Sequence, residues 1–181
     1  AGGMANQTEK LAELLRSESI QVSIIQTNAA YRPQWIGQLP GLRAIFRLAH
    51  YVTTLRQELT PQVQLLHVMA NSGWSWHLFA MPAIWVAYRR NIPVVLNYRG
   101  GYADSFFAKS WSKVHWSLRK CAVILVPSTF LQQVFQRYGK DAVIVPNVLD
   151  TSLFTPQSDK TLNTEAPHFI VTRNLEQIYD V

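Results

Sequence analysis

The chain has a single cysteine, Cys121, in 181 residues, so it cannot form a disulfide with itself. That usage fits a reducing compartment, and a small apolar residue at a strand start reads as core. Long apolar runs are also lacking. The greasiest stretch, residues 78–88, is interrupted by Pro82 and is well short of the ~20 residues that a membrane-crossing helix needs. No early stretch joins a charged head, an apolar run and a cleavage site, so no signal peptide is read. Gly-x-Ser-x-Gly, a Walker loop, the GxGxxG dinucleotide fingerprint and paired-cysteine zinc spacing are all missing. The five histidines are widely separated, and neither a metal site nor a cofactor is expected.

Acidic residues are scarce where basic ones gather. The net charge is +6 and the isoelectric point about 9.7. From Gly41 to Lys120 ten arginines and lysines face only Glu58 and Asp104. This asymmetry points to an anionic partner such as phosphate or an anionic membrane surface; ordinary solvated helix faces give the same pattern. A nucleic-acid partner is not expected, because the cations are scattered rather than drawn into a stripe. With 48% hydrophobic and 15% charged residues the chain is globular, and its length suffices for one sizeable core.

Periodicity gives alternating elements. Residues 6–17 read as a helix with Leu11, Leu14 and Leu15 on one face, and residues 20–26 as a strand. After a Pro- and Gly-punctuated connection, residues 41–59 form a long amphipathic helix that Pro61 ends. Strands are expected at 63–68, 93–98, 122–126 and 142–145, with helices at about 75–90 and 104–119 and a short one after Pro127. Near-continuous apolar strands alternating with helices indicate an α/β fold: a doubly wound, mostly parallel, Rossmann-like sheet with helices on both faces. In such sheets ligands gather at the carboxyl ends of the strands.

Several residues stand at those ends. Gly2 and Gly3 precede the first helix and would let a phosphate approach backbone N–H groups at its positive end; a tag remnant would explain the same residues. His67 and Ser72 belong to one strand and the turn after it, Arg99 and Gly100 to the next such turn. His67, on an apolar strand, also suits a satisfied core histidine. Arg99 stays protonated and can grip phosphate bidentately, or it can pair with Asp104. Asp104 suits either a sugar hydroxyl or a helix start. Of the six tryptophans, Trp74 and Trp76 open a helix beside the expected site, whereas Trp85, Trp111 and Trp116 read as packing. The helix over 41–59 could lie on anionic lipid or simply pack its stripe on the sheet.

The stretch from Cys121 to Phe154 carries the strongest signal. It holds Val126-Pro127-Ser128, Phe130-Leu131, then Pro146-Asn147, Asp150 and Phe154 in that order. This resembles the end of the N-terminal domain of glycosyltransferase family 4, retaining enzymes with two facing Rossmann-like domains. The resemblance extends from Gly2 to about Asp180, where residues 169–176 look like the opening of the second domain. It implies a family 4-like N-terminal domain over 1–158, then a linker and the first strand of a truncated C-terminal domain over 159–181. It further implies that Ser128 and Asn147 face the interdomain crevice, and that a first strand expected before Gly2-Gly3 is missing. Relatives usually have His-Gly where this chain has Arg99-Gly100, and commonly glycine where it has Val148. The first departure turns the expectation toward a phosphate-bearing group.

By that resemblance the full-length protein is a hexosyltransferase of polysaccharide or glycoconjugate biosynthesis. It would move a sugar from a nucleotide-sugar donor to a glycan or polyprenyl-phosphate-linked acceptor. The N-terminal lobe would hold the acceptor, and the donor-gripping residues would lie in the absent lobe, so this chain alone would be inactive. Asp-x-Asp, the metal–nucleotide signature of the other large glycosyltransferase fold, is missing. The localisation expected is cytoplasmic, on or near the inner face of a membrane. The rival is a non-catalytic module that binds an anionic lipid or glycan on the same scaffold.

Overall fold

The computed structural model describes residues 3–27 and 42–149. Gly2, Trp35 and the 159–181 segment, with the linker and the following strand expected there, lie outside them. The chain divides into two compact units, Ala1–Val148 and Leu149–Val181, and only the first is described below.

Two helices come first, α1 (Gly3–Ser17) and α2 (Leu42–Glu58). Then β1 (Leu66–Ala70), α3 (Met81–Arg89), β2 (Val94–Tyr98), α4 (Ala103–Leu118), β3 (Val123–Val126), α5 (Thr129–Arg137) and β4 (Val143–Ile144) alternate strictly. The four strands lie in the order β1-β2-β3-β4, every neighbour parallel. This is the Rossmann-like α/β fold expected from the alternation. The order never reverses, so each connection steps to the next strand in the same direction across the sheet. The rings of Trp76, Phe107 from α4 and Phe135 from α5 all meet Tyr98 of β2, with centroids 5.3 to 6.0 Å apart. That face of the sheet is therefore the core, and Val68, Val94, Leu96, Tyr98 and Val126 are buried in it. On the opposite face Asn97 is buried, His67, Met69, Val95 and Leu125 are partly covered, and Val123 and Val143 are exposed.

Some boundaries and elements differ from the sequence reading. Residues 20–26 are irregular rather than a strand. A strand needs a ladder, and here the Val22 carbonyl is taken by the Arg16 guanidinium instead (Nη2 2.7 Å, Nε 3.2 Å), while Ile25 packs on the core. β1 starts later than expected because the Val63 N–H closes a turn on Thr60. The helix expected over 75–90 opens with a wide π-helical turn, Trp76–Ala80, before α3. Pro82 explains it: the residue lacks an N–H, and its ring crowds the carbonyl four residues back. In α1 the buried residue is Ala12, and Leu14 is exposed.

Candidate functional site

Four parallel strands put four turns on one edge: Asn71-Ser72 after β1, Arg99-Gly100 after β2, Pro127-Ser128 after β3 and Pro146-Asn147 after β4. The β1–β2 ladder runs on into the second turn, since the Arg99 N–H donates to the Ala70 carbonyl at 2.9 Å. Arg99 therefore leaves the sheet in a fixed direction.

A chain of neutral polar groups holds its guanidinium. Nε donates to Asn97 Oδ1 at 3.1 Å, and Nη1 donates to Asn147 Oδ1. The Asn97 amide, only 1% exposed, is occupied at both ends, because its Nδ2 donates to His67 Nε2 at 3.3 Å. An acceptor role for Nε2 requires a neutral ring. Burial, and then the Arg99 charge, push the His67 pKa below the ordinary 6.5, in the same sense. Burial also draws the Arg99 pKa down, yet a guanidinium keeps its proton. The result is a partly buried cation with amide partners and, among the described residues, no carboxylate partner. Among the described residues the recorded ion pair is Arg137–Asp104, 3.4 Å, on the exterior. The alternative pairing of Arg99 with Asp104 does not form.

Gly100 is where the two turns touch. A β-carbon there would lie 2.3 Å from Ser72 Oγ and 2.8 Å from both Asn71 Oδ1 and the Ser72 backbone nitrogen. Only glycine permits this approach without displacement. Ser72 Oγ is in turn 2.7 Å from the Tyr98 hydroxyl. Burial pushes the Tyr98 phenol up to about 12, so at neutral pH that bond joins two uncharged hydroxyls.

The other expected residues fall into different roles. Ser128 caps α5, accepting from the Leu131 N–H at 3.4 Å, which gives it a structural purpose. Asp104 sits in the first turn of α4 and faces Arg137 rather than the Arg99 network. Gly3 starts α1 with open space around it. Two bonds bring that helix to the same edge: Gln7 Nε2 donates to the Val148 carbonyl at 3.1 Å, and the Val148 N–H donates to Gln7 Oε1 at 3.0 Å. Both backbone groups of Val148 are thus used by the chain itself. Trp76 is fully buried core, whereas Trp74 beside it is 79% exposed. Trp116, expected as packing, is 48% exposed.

Asn97 and Tyr98 belong to the strand end that the sequence points to but were given no site role by it, and Gln7 escaped it altogether. The first was legible in part, as an amide inside an otherwise apolar strand. Elsewhere, an open hollow of about 460 Å³ at the amino edge is lined by Leu118, Cys121, Val123, Lys140 and Val143. Arg119 and Asp141 line it as well, and among the described residues no ion pair joins them. Burial raises the Cys121 thiol to about 12, which removes it as a nucleophile.

A parallel sheet interleaved with helices, with Arg99 held by two amides at its carboxyl edge, is a Rossmann-like arrangement, and in such sheets ligands gather at that edge. The profile of Glycosyltransferase Family 4 matches residues 1–153, and the chain belongs to that family. Membership implies a transferase and, in general, a nucleotide-sugar donor and a glycan acceptor. No curated protein and no solved structure matches the chain. Among the described residues no helix is long and apolar enough to cross a membrane.

Proposed function

We infer that this domain is the acceptor-side lobe of a retaining hexosyltransferase acting in polysaccharide or glycoconjugate biosynthesis. The acceptor is a glycan carrying a phosphate, of the polyprenyl-phosphate-linked kind, and its anionic group is gripped by Arg99. One observation carries this reading: a guanidinium held by Asn97 and Asn147, with no carboxylate paired to it among the described residues. Two of its five N–H groups are spent on amides, so the remainder can meet phosphate oxygens. Ser72 and Gly100 shape the adjacent turn, and the neutral His67 supports Asn97 from below. The start of α1, tied to Val148 through Gln7, adds the positive end of a helix on the same edge.

Catalysis in the complete enzyme stabilises the departing diphosphate by fixed dipoles and cations, and lobe closure brings donor and acceptor together. The donor-binding residues belong to a second lobe, and this chain alone transfers no sugar; among the described residues no group of His, Cys, Asp or Glu could hold a metal. The domain works on the cytoplasmic side of a membrane, where a lipid-linked acceptor is reached.

Calorimetric titration tests the division of labour. A polyprenyl-phosphate analogue binds the wild-type chain, and Arg99→Ala weakens it about 10- to 100-fold, as expected for charge-assisted hydrogen bonds worth about 1.5–3 kcal/mol. Nucleotide-sugars bind weakly or not at all. Tight nucleotide-sugar binding by this chain, insensitive to Arg99→Ala, would overturn the assignment.

A further inference from the structure

The outer faces of α3 and α4 meet in an aromatic cluster that the carboxyl-edge site does not use. The indoles of Trp85 and Trp116 stack with centroids 3.6 Å apart and planes at 23°, and Tyr88 stands edge-on to Trp85 at 6.0 Å. The Lys120 ammonium lies 3.9 Å from the Tyr88 ring centre and 5.7 Å from that of Trp85. This is not core. Tyr88 is 46% and Trp116 48% exposed, and Arg89 and Arg119, which flank the cluster in sequence, are exposed too. From Thr60 to Lys140 the one acidic residue is Asp104. It lies in the first turn of α4, far along the helix from Trp116, and is already paired with Arg137.

We propose that this aromatic and basic patch is a docking surface for an anionic lipid bilayer. Charge complementarity selects the occupant: cations interleave with the rings, and among the described residues none of them forms an ion pair, although Asp141 lines the same hollow as Arg119. Tryptophan and tyrosine favour the headgroup layer because each joins an apolar body to a polar tip, and lysine and arginine beside them meet anionic headgroups. The stacking geometry argues against a base or a sugar ring as occupant. At 3.6 Å the two indoles are already in contact, and no ring fits between them. Both helices start at the carboxyl edge and end at the amino edge, so the patch is separate from Arg99. Docking there needs neither the acceptor assignment nor any catalytic activity.

The test is co-sedimentation of the chain with vesicles of pure phosphatidylcholine or of phosphatidylcholine mixed with phosphatidylglycerol. The chain binds the anionic vesicles and not the neutral ones, and salt weakens the binding. The double variant Arg119→Glu/Lys120→Glu lowers partition by roughly tenfold or more. Trp116→Phe, a mild change that keeps a ring, removes part of the fluorescence quenching by brominated lipid. Arg99→Ala leaves vesicle binding in place. Absence of binding to anionic vesicles would overturn the proposal. So would binding that the double variant leaves intact, or binding lost in Arg99→Ala alone, which would assign the headgroup to the carboxyl-edge site.

Discussion

The two ends of the sheet treat positive charge in opposite ways. At the carboxyl edge Arg99 is partly buried and bonded to two side-chain amides, and its direction is set by a backbone bond from β2 to β1. Toward the amino edge Lys120 rests on the face of a tyrosine ring, with no hydrogen bond recorded to fix it. A cation held by directional donors and acceptors suits one ligand in one pose, because its geometry is settled before binding. A cation on an aromatic face keeps its freedom and suits a surface with no fixed pattern of its own. Net charge, which is all that composition supplies, cannot separate the two.

The comparison breaks most severely if the turns of β1 and β2 are forced apart. In Gly100→Ala the new methyl would meet Ser72 Oγ at 2.3 Å and the Ser72 backbone nitrogen at 2.8 Å. The serine hydroxyl can rotate away, but the backbone cannot. A loss of about 1–3 kcal/mol is expected, the usual cost of overpacking a tight contact. Urea denaturation measures it, and a change within about 0.5 kcal/mol would show that the turns are not in contact. Because Arg99 precedes this glycine, phosphate-analogue affinity should fall in the same variant.

A sharper change alters charge without altering shape. Asn97→Asp keeps an oxygen for Arg99 Nε but gives the guanidinium an internal counter-ion. If an uncompensated charge is what draws an anion to this edge, the variant should lose about tenfold in affinity for a phosphate analogue, about 1.4 kcal/mol. The protein should remain folded, which circular dichroism can verify. Vesicle binding through Trp116 and Lys120 should not change. Unchanged phosphate affinity would show that Arg99 is held for structure alone.

How legible all this was depended on the range of the interaction. The alternation of apolar strands and amphipathic helices is local, so residues 93–98 and 104–119 were placed within a residue or so of β2 and α4. Residues 20–26 were not, because their pattern suits a strand but strand formation depends on a neighbour elsewhere in the chain. The Pro82 break was visible as a proline, yet the π-helical turn before it is a matter of backbone accommodation. At the site, Arg99, Ser72 and Gly100 could be found as turn residues after apolar runs. Their partners could not: Asn97 joins His67 and Arg99 across two strands, and Gln7 reaches Val148 from 141 residues away. Trp116 packs as expected, on Trp85 across α3 and α4, but its 48% exposure could not be read from the helix alone.

A gentler probe is pH. His67 is neutral in the folded protein, with its pKa lowered by burial and by Arg99 from the ordinary 6.5. In the unfolded chain the ring titrates near that ordinary value and binds a proton as pH falls below it. The unfolded state then holds more protons than the folded one, so stability decreases as pH drops through the unfolded pKa. Above it the two states bind equally, and this contribution is flat. Urea midpoints for wild type should therefore fall between pH 7.5 and 5.5, and His67→Gln should fall less. A variant that falls as steeply as wild type would move the titrating group elsewhere. His77 and His115 are shifted in the same direction by burial and neighbouring cations, so the difference between wild type and His67→Gln isolates the share of His67.

The smallest effect belongs to the pair that first suggested itself as the partner of Arg99. Asp104 and Arg137 approach to 3.4 Å, but both side chains are more than half exposed, at 52% and 58%. Solvent and salt screen such a pair, and holding two mobile side chains together costs entropy that cancels much of the attraction. Asp104→Asn keeps the shape of the side chain and removes its charge. It should change stability by no more than about 0.5 kcal/mol, with the difference vanishing in high salt. It should also leave phosphate affinity untouched, because the Asp104 carboxylate faces α5 and makes no bond to the Arg99 network. If affinity for a phosphate analogue rises in Asp104→Asn, the carboxylate repels the ligand and the acceptor site extends farther along α4 than Arg99 alone would place it. If sugar binding falls instead, Asp104 accepts from a hydroxyl, and its contact with Arg137 is the resting state of a binding residue.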